Sequence, residues 1–253
     1  MQVILLAGGT GTRLKEMTDF LPKAMIPIGG KPMIYHIMNH YAKYGHYEFI
    51  VALGDKQEAF KQYFGLFHMM TSDICCEYLK TTIINPTCSR WKITASDTGL
   101  NTLKGGRIKR IEKYIEKDTF MLTYGDALSD VDIGALIKFH RSHGRLVTVT
   151  GVTPKPRFGE LLHMDGRVVS FKEKPSNGLV NGGFMVLNRG VFDYLDEDCD
   201  FEIGPLEEIA KNGQLMVYQH DGYWGCCDTL SDMIELQKEW EGRNAIPQNT
   251  DRF

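Results

Sequence analysis

Gly8, Gly9 and Gly11 put three glycines into four positions, Arg13 closes the stretch, and Lys23 follows ten residues later. A backbone without Cβ atoms lets its N–H groups close on a phosphate chain. The Arg13 guanidinium suits a bidentate grip on phosphate oxygens, and Lys23 adds a movable point charge. Leu14 stands where a dinucleotide fingerprint needs its third glycine, which argues against a nucleotide-binding oxidoreductase. No Gly-Lys-Ser/Thr follows at Walker A spacing either. An ordinary turn accounts for the glycines but not for both cations. Phosphoryl or nucleotidyl transfer does need such a set, because there the protein supplies alignment and positive charge facing the oxygens that gain negative charge. Mg²⁺ in such sites takes one or two carboxylates and keeps several waters. Asp126 and Asp228 would supply that pair if the fold joins them. Asp228 could equally cap a helix beginning at Thr229. No Ser-His-Asp or Cys-His arrangement is evident, in keeping with a reaction that needs no side-chain nucleophile.

The elements that must position these groups are legible as periodicities. Val3–Leu6 reads as a buried strand breaking into the glycine loop, with a helical turn resuming over 13–17. Apolar residues at 33, 34, 37, 38 and 41 behind Pro32 predict a helix, and Gly45 lies just past its end. Phe49–Leu53 is a second strand, and Lys56–Phe64 a second helix. Strand, helix, strand, helix is the opening of a parallel sheet covered on both faces. Ile74–Ile84 reads as strand, Trp91–Ala95 as a short strand, and Asp97-Thr98-Gly99 as the start of a loop reaching Gly105-Gly106-Arg107. Ile108, Ile111, Tyr114 and Ile115 predict a helix with Lys109, Arg110 and Lys113 on a solvated face. Phe120–Tyr124 is a buried strand ending in Gly125-Asp126, so Asp126 and the glycine loop both fall at strand carboxyl ends, where open α/β sheets bind ligands. Asp132–His143 is a helix whose His140 and His143 are expected on the surface. After Leu146 the chain turns to short strands at 147–152, 160–164, 168–172 and 184–187. Helices at 205–212 and 229–240 close it.

Composition narrows the classes. With 253 residues, 43% hydrophobic, the chain can bury a large core. A formal charge of −3 argues against nucleic acid as a bulk partner. No apolar run approaches the ~18 residues of a membrane span, and Val3–Ala7 runs straight into the glycine loop with no signal-peptide pattern. Of six cysteines, four fall in the adjacent pairs Cys75-Cys76 and Cys226-Cys227, which make poor disulfide partners. Reduced thiols in a cytoplasmic protein are expected.

The stretch Leu5-Leu6-Ala7-Gly8-Gly9-Thr10-Gly11-Thr12-Arg13-Leu14, followed by Pro22-Lys23, resembles the signature of the sugar-1-phosphate nucleotidyltransferases. Gly125-Asp126, Glu173-Lys174-Pro175, Asn181-Gly182-Gly183 and Trp224…Asp228-Thr229 are similar in kind and order, and the likeness spans nearly the whole chain. Gly29-Gly30-Lys31-Pro32, Gly105-Gly106-Arg107, Arg157-Phe158-Gly159 and Gly213-Gln214-Leu215-Met216 point to its cytidylyl-transferring branch. The resemblance implies a Rossmann-like α/β fold, a mixed, mainly parallel sheet with a small added β subregion. It implies one domain over 1–253, with a nucleotide-binding core over about 1–145 and acceptor-side and closing elements over about 146–242. Leu6, Ala7, Gly8, Gly9, Thr10, Gly11, Thr12 and Arg13 would wrap the CTP phosphates, with Lys23 at the α-phosphate. Thr102, Arg107 and Gly125 would hold the nucleotide, Arg107 reading the cytosine edge. Asp126 and Asp228 would bind Mg²⁺, and Glu173, Lys174, Asn181 and Gly182 would hold a sugar 1-phosphate, with glucose 1-phosphate the leading acceptor. A CDP-sugar for surface polysaccharide synthesis and a homo-oligomer, a hexamer among the options, are also implied. Another NTP, another small phosphate acceptor, or a non-catalytic homologue are the alternatives. Retention of Arg13, Lys23, Asp126 and Asp228 argues against the last.

The match has departures. Ala24 replaces the usual proline after the lysine, Cys226-Cys227 replaces a polar-Met pair, and Gly204 stands where comparable enzymes have glutamate before Pro-Leu. That last change predicts a pocket with one carboxylate fewer.

Overall fold

The computed structural model describes residues 1–9, 19, 21–84, 90–154, 160–172 and 178–244. In chain order, strand β1 is Gln2–Leu6, a small hairpin pairs β2 (Pro27–Ile28) with β3 (Lys31–Pro32), and helix α1 is Met33–Lys43. Next come β4 (Glu48–Leu53), α2 (Gln57–Thr71), β5 (Asp73–Glu77), β6 (Lys80–Ile84) and β7 (Lys92–Asp97). Helix α3 (Lys104–Arg110), β8 (Thr119–Tyr124), β9 (Ala127–Ser129), α4 (Ile133–His143) and β10 (Val147–Val152) follow. The last part holds β11 (Glu160–Met164), β12 (Arg167–Lys172), β13 (Val180–Asn188), α5 (Glu207–Lys211), β14 (Leu215–His220), β15 (Trp224–Cys226) and α6 (Leu230–Asn244).

A seven-stranded sheet runs in the order β14-β10-β13-β8-β1-β4-β7. β8, β1, β4 and β7 are parallel, as are β10 and β14, while β13 runs antiparallel to both its neighbours. That reversal brings the start of β13, at Asn181 and Gly182, to the same rim as the carboxyl ends of β1 and β8. The central strand shows why the sheet must be covered twice. Val3 and Leu5 join one apolar cluster with Met33, Ile37 and Tyr41 of α1, while Ile4 and Leu6 join another with Ile108, Phe120 and Leu187. All five residues of β1 are buried, which is the pattern of a strand inside a parallel sheet. The expected mixed, mainly parallel α/β architecture is the one found, and β11–β12 form a separate two-stranded ribbon. Among the described residues no helix is long and apolar enough to cross a membrane.

Three of the structure's departures from expectation have a clear physical reason. Ile74–Ile84 is two strands rather than one: Tyr78 and Leu79 turn β5 back onto β6, and no residue of the hairpin is buried. Gly105 and Gly106 lie inside α3 rather than in a loop, because their bare backbone packs on the 197–199 segment, with Gly106 N–H donating to Cys199 O at 3.1 Å. His140 is buried rather than on the surface. Its Nδ1 lies 2.8 Å from Thr148 Oγ1, which also meets His143 Nε2 at 2.8 Å, and its Nε2 lies 3.2 Å from Asn188 Oδ1. The apolar side of α4 faces β10 and carries His140 in with it, and burial holds the imidazole pKa below its ordinary 6.5.

Candidate active site

Two carboxylates and one ammonium meet at the rim. Lys23 begins a short 3₁₀ turn behind Pro22, and its Nζ lies 2.8 Å from Asp126 Oδ2 and 2.6 Å from Asp228 Oδ1. Asp126 follows β8 with only Gly125 between them. Asp228 arrives 102 residues later because β15 pairs antiparallel with β9, Cys226 opposite Ala127, and Cys227 N–H donates to Asp126 O at 2.9 Å. Burial opposes the charge on Lys23, but Asp126 and Asp228 outweigh it and raise the pKa above the ordinary lysine value. The ammonium stays charged.

Asp228 does not cap the last helix. Thr229 and Asp232 do so between them: Asp232 Oδ2 accepts from Thr229 N–H at 2.8 Å and from Asp228 N–H at 3.0 Å, and Asp232 N–H donates to Thr229 Oγ1 at 3.2 Å. That is a capping box with aspartate in the third position. The Asp228 carboxylate is turned toward Lys23 instead. Helix α6 also braces the hairpin after Lys23, since Gly29 N–H donates to Gln237 Oε1 at 2.9 Å and Trp240 packs on His36 with ring centres 4.1 Å apart.

Arg107 has a different place from the one its sequence position implied. It is 4% exposed. Nη1 donates to Leu53 O at 2.9 Å, Thr98 Oγ1 at 2.8 Å and Gly99 O at 2.7 Å. Nη2 donates to Gly8 O at 2.9 Å and Leu100 O at 3.1 Å. One guanidinium thus ties together the loops after β1, β4 and β7, all five of its bonds going to backbone carbonyls or to Thr98. Gly8 and Gly54 lie against it so closely that a Cβ on either would overlap the guanidinium. Sequence reasoning missed Gly54 and the buried Thr98. The one available signal was their place, each just past a strand's carboxyl end.

The remaining assigned residues fall along the same rim. Leu6 O accepts from Gly125 N–H at 3.0 Å, and Ala7 N–H donates to Ala52 O at 3.1 Å, so the start of the glycine loop is fixed to both neighbouring strands. Gly9 is exposed. Thr102 Oγ1 accepts from Arg110 Nη1 at 2.8 Å, and Arg110 also pairs with Glu197, so this basic face is bonded rather than merely solvated. Gly182 O accepts from Trp224 Nε1 at 2.9 Å, and Asn181 Nδ2 donates to Tyr124 OH at 3.3 Å. Thr10, Gly11, Thr12 and Arg13, with Glu173 and Lys174, lie outside the described residues. Neither cysteine beside the site is a ready nucleophile. Burial and Asp228 raise the Cys226 pKa, and burial pushes Cys227 up to about 12.

The donors fit a hard divalent cation. Asp126 and Asp228 already share one positive centre at hydrogen-bonding distance, both offer oxygen, and two carboxylates are the number Mg²⁺ takes beside substrate phosphates. Among the described residues no group of three or more acidic, histidine or cysteine side chains stands ready to enclose a metal by itself.

Residues 2–242 match the family described as nucleotidyl transferase. The chain belongs to that family. Within it, the chain is 41% identical over 247 residues to the glucose-1-phosphate cytidylyltransferase of Salmonella typhi, covering 95% of this chain and 96% of the relative. It is also 41% identical over 244 residues to the probable glucose-1-phosphate cytidylyltransferase of Bacillus subtilis, with the same coverage. The solved structure of HddC from Yersinia pseudotuberculosis shares the nucleotidyltransferase fold, with a TM-score of 0.68 at 24% identity over 94% of this chain and 99% of that one.

Proposed function

We infer that this nucleotidyltransferase joins CTP to a sugar 1-phosphate, glucose 1-phosphate first among them, giving a CDP-sugar and pyrophosphate. The nucleotide and acceptor are supported by the relatives' names at 41% identity. The reaction type is carried by one observation, the meeting of Lys23 with Asp126 and Asp228 at the rim.

In this reading an oxygen of the acceptor phosphate attacks the α-phosphorus of CTP, and the bond from that phosphorus to the bridging oxygen breaks to release pyrophosphate. No proton leaves a side chain and no covalent enzyme intermediate is required. Mg²⁺, held by Asp126 and Asp228, would supply charge neutralisation at the α-phosphate. Lys23 competes with such a cation for the same oxygens, so its ammonium can turn from carboxylate to phosphate as negative charge builds there. Arg107 holds the glycine-loop backbone in place. Arg13 is assigned to the departing pyrophosphate, and Lys174 with Asn181 to the acceptor. The division into a nucleotide portion up to about residue 145 and an acceptor portion after it goes with this reading.

We place the protein in the cytoplasm on its cysteine pattern, and read it as a homo-oligomer. The β5–β6 hairpin supports the oligomer, with Tyr78 93% and Leu79 90% exposed at its tip. Light scattering on the purified protein checks that point.

A panel of CTP, UTP, dTTP and GTP crossed with sugar 1-phosphates, read by pyrophosphate release, tests the function. CTP with glucose 1-phosphate is expected to be the best pair, and EDTA to abolish turnover. Equal efficiency with CTP and UTP removes the cytidylyl assignment, and no release with any pair removes the reaction.

A further inference from the structure

We propose that Glu202 is the specificity-determining residue for the acceptor's hydroxyls, acting with Tyr124 and Asn181; this deepens the function above and rests on it. The absence of glutamate at 204 had implied a pocket short of one carboxylate. The fold supplies one from two residues earlier. Gly204 sits at φ 100°, ψ −83°, a conformation closed to most side chains, and there the chain kinks between Ile203, which is exposed, and Pro205 and Leu206, which are buried. Glu202, on the near side of the kink, turns toward the rim.

Its carboxylate is held at both oxygens. Oε1 accepts a short hydrogen bond from Tyr124 OH, and Oε2 forms an ion pair with Lys104 Nζ at the start of α3. Asn181 Nδ2 donates to the same Tyr124 OH at 3.3 Å. Lys104 Nζ also stands 5.9 Å from the centre of the Tyr124 ring. The row Asn181–Tyr124–Glu202–Lys104 therefore crosses the rim beside Asp126, since Tyr124 precedes Gly125-Asp126 directly. Room for the tyrosine ring comes from Gly183, where φ is 88° and a Cβ would press on the ring's edge at 2.6 Å. Burial, with Glu202 behind it, keeps the tyrosine protonated and donating.

Oε2 is buried, but a carboxylate oxygen takes more than one hydrogen bond, so Oε1 keeps acceptor capacity beyond Tyr124, and the side chain as a whole is 29% exposed. Sugar hydroxyls are donors that seek such an acceptor. A purely structural bridge from Lys104 to Glu202 would hold the 199–206 segment in place without touching substrate. The two roles differ in what they do to substrate preference.

The test compares glucose 1-phosphate with its monodeoxy analogues in the parent, Glu202→Gln and Tyr124→Phe. The expected result is an acceptor KM raised about tenfold or more in Glu202→Gln with the CTP KM unchanged. The parent's preference for glucose 1-phosphate over one particular deoxy analogue should collapse, and over the others persist. Tyr124→Phe should weaken the same position, which guards against a folding defect in either variant alone. An active parent whose variants keep all its deoxy ratios overturns this inference and leaves the function standing. A parent inert toward every sugar 1-phosphate overturns both.

Discussion

On the glycine-loop side of the rim, one buried guanidinium is bonded to four carbonyls and a hydroxyl. On the Asn181 side, a half-exposed row of side chains ends in an ion pair to Lys104. The first arrangement fixes backbone, and four of its five partners are carbonyls that every residue carries. The second fixes side chains, each replaceable by a single substitution. The difference lies in what is bonded rather than in how much.

The largest expected effect falls where the two sides meet. Lys23→Ala should slow turnover by roughly 3–4 kcal/mol of barrier, with CTP binding changed far less, as for the loss of one preorganised contact to developing charge. Turnover within a few-fold of the parent would remove Lys23 from the chemistry. Next comes the guanidinium. Arg107→Met leaves the buried carbonyls of Leu53 and Gly8 without that donor and should cost about 2–4 kcal/mol in urea unfolding. CTP and UTP use should fall together. A shifted CTP-to-UTP ratio with stability intact would make Arg107 a base reader after all and break the contrast.

A smaller effect comes from the buried histidines. Burial holds His36, His40 and His140 below the ordinary imidazole value of 6.5. Between the lowered folded value and 6.5 the unfolded chain binds more protons, so stability is full above that window and falls as pH drops through it. The Tm should decline as pH falls below 6.5, and His140→Gln, which removes the titrating group between α4 and β10, should flatten the decline. An unchanged slope would assign it to the other histidines. The smallest effect is expected at Gly204, which is exposed and has no side chain near its missing Cβ. Gly204→Glu should cost about 1–2 kcal/mol through its positive φ and leave acceptor preference alone. Sharpened selectivity for glucose 1-phosphate would return the pocket carboxylate to position 204.

The sequence by itself determined the central strands β1, β4 and β8, because buried parallel strands are continuous apolar runs, but it did not show the half-exposed edge strand β14 or the short β9 and β15. It also marked Asp126, a charge beside Gly125 just past a strand's end, which is a local signal, and marked Lys23 and Asp228 through the motifs around them. It left Asp228 between cap and ligand; the pairing of β15 with β9 brings it to Asp126, 102 positions away, and to Lys23, while Thr229 and Asp232 take the capping. Arg107 is the clearest case of what a sequence cannot hold. Its type and place near Gly105-Gly106 are local facts, but the direction of a side chain is set by carbonyls on three other loops. Glu202 was hidden for the same reason: the chain reads 202 and 204 as neighbours, and the kink at Gly204 sends what lies on either side to different surroundings.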